Sequence, residues 1–214
     1  MKLGILAAMA AVASLAAAGA AQALTVLGTD DIFAAGLSSA PLSTGGGGTL
    51  PSYITVTPSE TLYITATGQV QCCVGGNPNP GATGPNGFAT NPFPPPAGSD
   101  ISDSAGTGFG DFVEATGAFP LAGAFTTSTG GALGSVFMVG ASDTLVVPAG
   151  AGRLYFGLPD ASGFNGSSGY YADNAGSFTV SYAVPEPAVW ALMILGVGLT
   201  GFALRSRRGR LLAA

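Results

Sequence analysis

Two neighbouring segments of the chain, Tyr53-Ile54-Thr55-Val56-Thr57 and Thr61-Leu62-Tyr63-Ile64-Thr65-Ala66-Thr67, alternate β-branched and aromatic residues. That is the two-residue period of half-buried strands. Pro58-Ser59-Glu60 between them reads as a turn or strand corner. Four further stretches carry the same signal: residues 135–139, 143–147, 153–158 and 177–182, the last with Phe178, Val180 and Tyr182 on one face. No body segment shows the 3.6-residue period of an amphipathic helix. Short strands punctuated by turns predict an all-β domain, a β-sandwich or jelly roll. Residues 75–98 break the pattern, with Pro78, Pro80, Pro85, Pro92, Pro94, Pro95 and Pro96 among glycines and asparagines. A strand does not persist through that many prolines, so a long surface loop is expected there. Gly45 to Gly48 reads as a short flexible joint.

The ends follow other rules. Lys2, the apolar run Leu3 to Ala18 and the Ala21-Gln22-Ala23 site have the form of a secretory signal peptide over residues 1–23. The Sec translocon and signal peptidase would handle it, leaving Leu24 first. Near the other end, residues 188–204 hold no formal charge and would span about 25 Å as a helix, the short end of a membrane crossing. Arg205, Arg207, Arg208 and Arg210 follow, and the positive-inside rule keeps them cytoplasmic. The expected organisation is thus a signal peptide (1–23), an N-terminal segment (24–52), a β-sandwich (53–183) with its Pro-rich loop (75–98), and a C-terminal signal (184–210).

Composition narrows the chemistry. There is no histidine among the 214 residues. This removes His-based triads, His-ligated metals and His pH switches. Between residues 24 and 184 ten carboxylates stand against one cation, Arg153. So acidic a body is unsuited to nucleic acid. It suits solubility outside the cell, and equally the binding of a hard divalent cation through oxygen ligands. Asp100, Asp103, Asp111 and Glu114 lie close together in sequence, but no pattern fixes two of them at an acid–base separation. The chain reads as a non-enzyme.

The C-terminal signal has a recognisable form. Pro185-Glu186-Pro187, then Trp190-Ala191, a short apolar helix (188–204) and an Arg cluster (205–210) resemble the PEP-CTERM sorting signal in its Pro-Glu-Pro-x-x-Trp-Ala variant. The resemblance implies export by a Gram-negative bacterium. It implies an inner-membrane intermediate held by the C-terminal helix and processing by an exosortase-type membrane transpeptidase. The destination would be the cell surface or an extracellular, polysaccharide-rich biofilm matrix.

The body carries a second resemblance. Gly131-Ala132-Leu133-Gly134, Arg153-Leu154-Tyr155-Phe156-Gly157-Leu158-Pro159-Asp160 and Asp173-Asn174-Ala175-Gly176-Ser177-Phe178-Thr179-Val180 together resemble the galactophilic lectin domain of the PA-IL type. That likeness implies a small β-sandwich binding one Ca²⁺ whose coordination is completed by sugar hydroxyls. Carried over by position, Asp160, Asp173 and Asn174 would give side-chain oxygens, and Tyr170 and Cys72 backbone carbonyls. There are departures. Pro159 replaces an Asn, Asp173 replaces an Asn ligand, and the loop from Asp160 to Asp173 is longer. The family's His and Gln sugar contacts are missing, with the Pro-rich loop in their place, so galactose specificity does not carry over. Without a metal, the same Asp and Asn side chains would serve as loop caps. Two functions stay open: a calcium-dependent carbohydrate-binding module for extracellular polysaccharide, and a structural matrix protein with no discrete ligand.

Cys72 and Cys73 are the only cysteines. Three fates are open to them in an oxidising compartment: a strained vicinal disulfide, intermolecular bridging, or two free thiols.

Overall fold

The computed structural model describes residues 21–41, 46–76, 79–93, 98–184 and 194–199. The body, 21–184, forms one unit, and the C-terminal residues belong to another. In the latter, residues 194–199 are helical. Among the described residues, no helix is long and apolar enough to cross a membrane. Residues 1–20 of the expected signal peptide lie outside the described residues. So do Pro185, Glu186, Pro187, Trp190, Ala191, Arg205, Arg207 and Arg208, and most of the expected 188–204 helix.

Among the described residues, twelve strands build the body: β1 (Gln22–Leu27), β2 (Ser52–Thr55), β3 (Thr61–Gln71), β4 (Ala82–Thr83), β5 (Ser99–Ser102), β6 (Phe112–Glu114), β7 (Ala122–Thr126), β8 (Ala132–Met138), β9 (Ser142–Val146), β10 (Arg153–Gly157), β11 (Asn165–Ser167) and β12 (Ala175–Ala183). The first sheet runs β1-β12-β3, and both β9 and β4 pair with β3 as well. The second runs β2-β10-β7-β8, and a small third one β11-β5-β6. Pairing is antiparallel throughout except between β11 and β5. The fold is all-β, as the alternation predicts, and consistent with a β-sandwich.

The alternation also sets the core. Leu62, Ile64 and Ala66 of β3 and Phe178 and Val180 of β12 turn inward from the first sheet. Ile54, Phe125, Leu154 and Phe156 do so from the second, and all nine join one apolar cluster. Each large side chain buried this way contributes about 1.5–3 kcal/mol. The Pro58–Glu60 corner is pinned by Thr57 N–H donating to Glu60 Oε1 (2.8 Å). β3 runs on past Thr67 to Gln71 because Gly68 fits there. Its φ is +110°, and a Cβ would stand 2.5 Å from Ser177 O on β12.

Two expectations need correction. The Pro-rich stretch is not strand-free: β4 pairs with Val70 and Gln71 between Pro80 and Pro85. Two residues at a sheet edge fit between prolines where a longer strand would not. The glycine joint is not free either in its described part. Gly46 O accepts from Ala172 N (3.0 Å), and a Cβ on Gly47 would lie 2.6 Å from Ala172. The N-terminal segment joins the sandwich: β1 pairs with β12 from Gln22 to Leu27, and Ser52 Oγ donates to Thr25 O (3.0 Å).

Candidate functional site

The site sits where β10 leaves its sheet and β12 enters the other. After Gly157 the chain passes through Pro159-Asp160-Ala161 and a 3₁₀ turn, Ser162–Phe164, into β11. It returns through a second 3₁₀ turn, Tyr171–Asp173, whose preceding residue Tyr170 is left-handed (φ +70°). Tyr171 is the post that holds this crossing. It is wholly buried, its hydroxyl donates to Leu158 O (3.1 Å), and that hydroxyl accepts from Asp160 N–H (3.3 Å).

Asp160 lies 2% exposed beneath the crossing. Its Oδ1 accepts from Ala161 N–H (2.8 Å) and its Oδ2 from Asn174 Nδ2 (2.7 Å). Burial raises its pKa well above the usual carboxylate range, with the Asn174 bond working against that rise. The same Asn174 Nδ2 also donates to Gly28 O (3.1 Å) just after β1. Asn174 Oδ1 is buried and has no hydrogen-bond partner. An unsatisfied buried acceptor costs about 1–3 kcal/mol and calls for an explanation.

Above this pair opens a cleft of about 140 Å³, lined among others by Cys73, Phe93, Asp160, Gly163, Tyr170 and Asp173. Val74 N–H donates to Asp173 O (2.8 Å), tying the cysteine turn to the loop before β12. Cys72 is wholly buried and Cys73 is left-handed (φ +60°). Their sulfurs stand 2.7 Å apart as two thiols, not joined by a bond. That contact, then burial, then the nearby Asp160 and Asp173 push the Cys72 thiol up, so it holds its proton.

Asp160, Tyr170 and Asp173, nominated from sequence, therefore line one cleft, with Asn174 bonded to Asp160 and Cys72 buried near both carboxylates. Among the described residues no three His, Cys, Asp or Glu side chains form a metal-holding group. A cation here would draw on amide and backbone oxygens too, as Ca²⁺ does. The residues fit that ion. Asn174 Oδ1 is a hard oxygen with no partner, beside an Asp160 carboxylate whose two oxygens each accept one hydrogen bond.

Sequence reasoning missed Tyr171 and Phe93. Tyr171 lacks a motif, and its role depends on the turn geometry. Phe93 had one signal, the Asn91-Pro92-Phe93 triplet, since Asn91 before a Pro favours a side-chain-closed turn. Phe93 N–H does donate to Asn91 Oδ1 (2.9 Å). Of the acids weighed as a catalytic pair, Asp103 plays a local part. Asp103 accepts from the backbone of Ala105, Gly106 and Gly108 and from Thr107 Oγ1.

Comparison with known proteins adds the following. No curated protein matches the chain. A solved structure described as "EclA N-terminal domain; PllA-like lectin" aligns at 19% identity, covering 76% of this chain and 94% of that one, with a TM-score of 0.39. The family model for the PEP-CTERM protein-sorting motif matches residues 183–208. This chain ends in a PEP-CTERM sorting motif, which marks it for exosortase-dependent export and surface sorting.

Proposed function

We propose that the exported body binds one Ca²⁺ beside Asn174, at the cleft lined by Asp160 and Asp173, and, through it, the hydroxyls of an extracellular carbohydrate. The observation that carries this reading is the buried, unpartnered Asn174 Oδ1 next to the buried Asp160 carboxylate. Asp160 and Asn174 would hold the ion from below, with Asp173 and backbone oxygens of the Tyr170 and Cys72 turns around it. The ion would supply a fixed positive charge for hydroxyl oxygens, and would offset the cost of burying Asp160 ionised. After the N-terminal signal is removed and an exosortase-type enzyme has processed the tail, the module would retain the protein in surface polysaccharide.

The test is calorimetric titration of the full chain with Ca²⁺, followed by titration of the loaded protein with simple methyl glycosides. One Ca²⁺ per chain and a glycoside heat that vanishes with chelator support the reading. No Ca²⁺ binding at millimolar concentration removes it.

A second reading has its own observation. Asn174 joins Gly28 O to Asp160 Oδ2, which clasps the end of β1 to the β10 crossing without any ligand. A structural matrix protein would need that clasp alone. It would bind no glycoside, and any Ca²⁺ would only stiffen the loops.

A further inference from the structure

The cleft has an apolar wall that the cation does not explain. Phe93 forms it, on the Pro-rich stretch. Asn91 holds that stretch in place with both ends of its amide. Its Nδ2 donates to Gly98 O (2.8 Å) and to Gly163 O (3.0 Å), and its Oδ1 accepts from Phe93 N–H (2.9 Å). The second bond spans 72 residues, so it clamps this loop onto the 3₁₀ turn beside Asp160. Gly163 suits that turn because its φ of +61° lies in the left-handed region that favours glycine. Beneath, Phe93 meets Phe164 edge-on at 5.5 Å, and Phe164 packs in turn against Phe88 and Phe119. Phe93 is itself only partly buried. A ring supported by an aromatic stack, pinned by an amide and left open to a cleft with two carboxylates is set up for contact with a ligand. It is more than a side chain filling the core.

We infer that Phe93 is the stacking platform of the carbohydrate site and that this site takes one terminal pyranose ring. The inference rests on the Ca²⁺–carbohydrate reading above. A pyranose has one face of C–H groups, which packs on an aromatic ring while its hydroxyls reach the cation. At about 140 Å³ the cleft is well below the roughly 300–1,000 Å³ of sites for larger ligands, which points to a single sugar ring. Asn91 is then a positioning residue acting through Phe93.

The test compares the full-length wild type with Phe93→Ala, Phe93→Trp and Asn91→Ala. Ca²⁺ is titrated first, then methyl glycosides of galactose, glucose, mannose and fucose, then the disaccharide of whichever sugar binds best. Phe93→Ala should weaken the best glycoside about tenfold or more, with Ca²⁺ affinity near wild type and the melting temperature lowered by only a few degrees through the lost Phe164 contact. Phe93→Trp should keep binding within a few-fold. Asn91→Ala should weaken the glycoside with Ca²⁺ affinity unchanged. The disaccharide should bind within a few-fold of the methyl glycoside. Unchanged glycoside affinity in Phe93→Ala overturns the inference while leaving the cation reading intact. So does an equal loss of Ca²⁺ affinity, which would make Phe93 part of the cation site. A disaccharide bound more than tenfold tighter overturns the single-ring limit. A wild type that binds Ca²⁺ but none of the glycosides removes the parent carbohydrate reading, and this inference with it.

Discussion

Asp160→Asn isolates the charge at the heart of the site. The substitution keeps size and shape. In the wild type, Asp160 Oδ1 accepts at 2.8 Å and Oδ2 at 2.7 Å, and the side chain is 2% exposed. An amide preserves one acceptor and turns the other oxygen into a donor facing a donor, a loss of about 1–3 kcal/mol. Against this, the variant no longer buries a group whose charged form burial disfavours. The two effects oppose each other, so without Ca²⁺ the melting temperature should move by only a few degrees. With Ca²⁺ at about 100 times its dissociation constant, the wild type should gain about 2.7 kcal/mol. At about 2–4 °C per kcal/mol for a domain of this size, that is a rise of roughly 5–11 °C. Asp160→Asn should show no such rise. The assay is scanning calorimetry of the full chain at pH 7, with Ca²⁺ and with chelator. A variant that keeps the full Ca²⁺-dependent rise would refute the placement of the ion on Asp160.

Three further predictions follow from the same geometry. Burial lifts the Asp31 pKa from about 3.8 to about 6, so between those values the folded protein holds a proton that the unfolded chain has lost. Metal-free stability should therefore fall as pH rises from about 4 to 7, by about 3 kcal/mol from this group; pH-dependent denaturant melts rising across that window would contradict it. Because burial raises the Asp160 pKa and Ca²⁺ favours its ionised form, Ca²⁺ binding should weaken on acidification, measurable by titrating Ca²⁺ at a series of pH values. Asp103→Ala should cost about 2 kcal/mol by stripping acceptors from Ala105, Gly106, Thr107 and Gly108, yet leave Ca²⁺ affinity alone; a matching loss of Ca²⁺ affinity would tie that loop to the cleft.

How much was legible depended on whether a signal was local. β3 and β12 announce themselves because each packs one face, so Leu62, Ile64, Phe178 and Val180 fall at alternate positions. β7 does not. It is buried at every residue from Ala122 to Thr126, and Gly123 leaves room for the Phe137 ring, which a Cβ would approach to 2.8 Å. Such a strand shows no alternation and low strand propensity. β1 was obscured because its first two residues double as the expected signal-peptide cleavage site. Within the site, Asp160, Asp173 and Asn174 were legible as oxygen-bearing residues flanking one loop. The parts set by distant sequence were not: the Tyr171 hydroxyl against Leu158 O, and Asn91 reaching Gly163 across 72 residues. A contact of that span leaves no mark on a single sequence beyond the identity of its two ends.

The central claim is that a hard cation belongs beside Asn174 Oδ1. Diffraction from crystals of the full chain grown in Ca²⁺, recorded at a wavelength where calcium scatters anomalously, would test it directly. The account predicts one anomalous peak about 2.3–2.6 Å from Asn174 Oδ1 and an Asp160 carboxylate oxygen. A water there, an amide satisfied by the protein alone, or a peak only at the exposed carboxylates of residues 100–114 would contradict it.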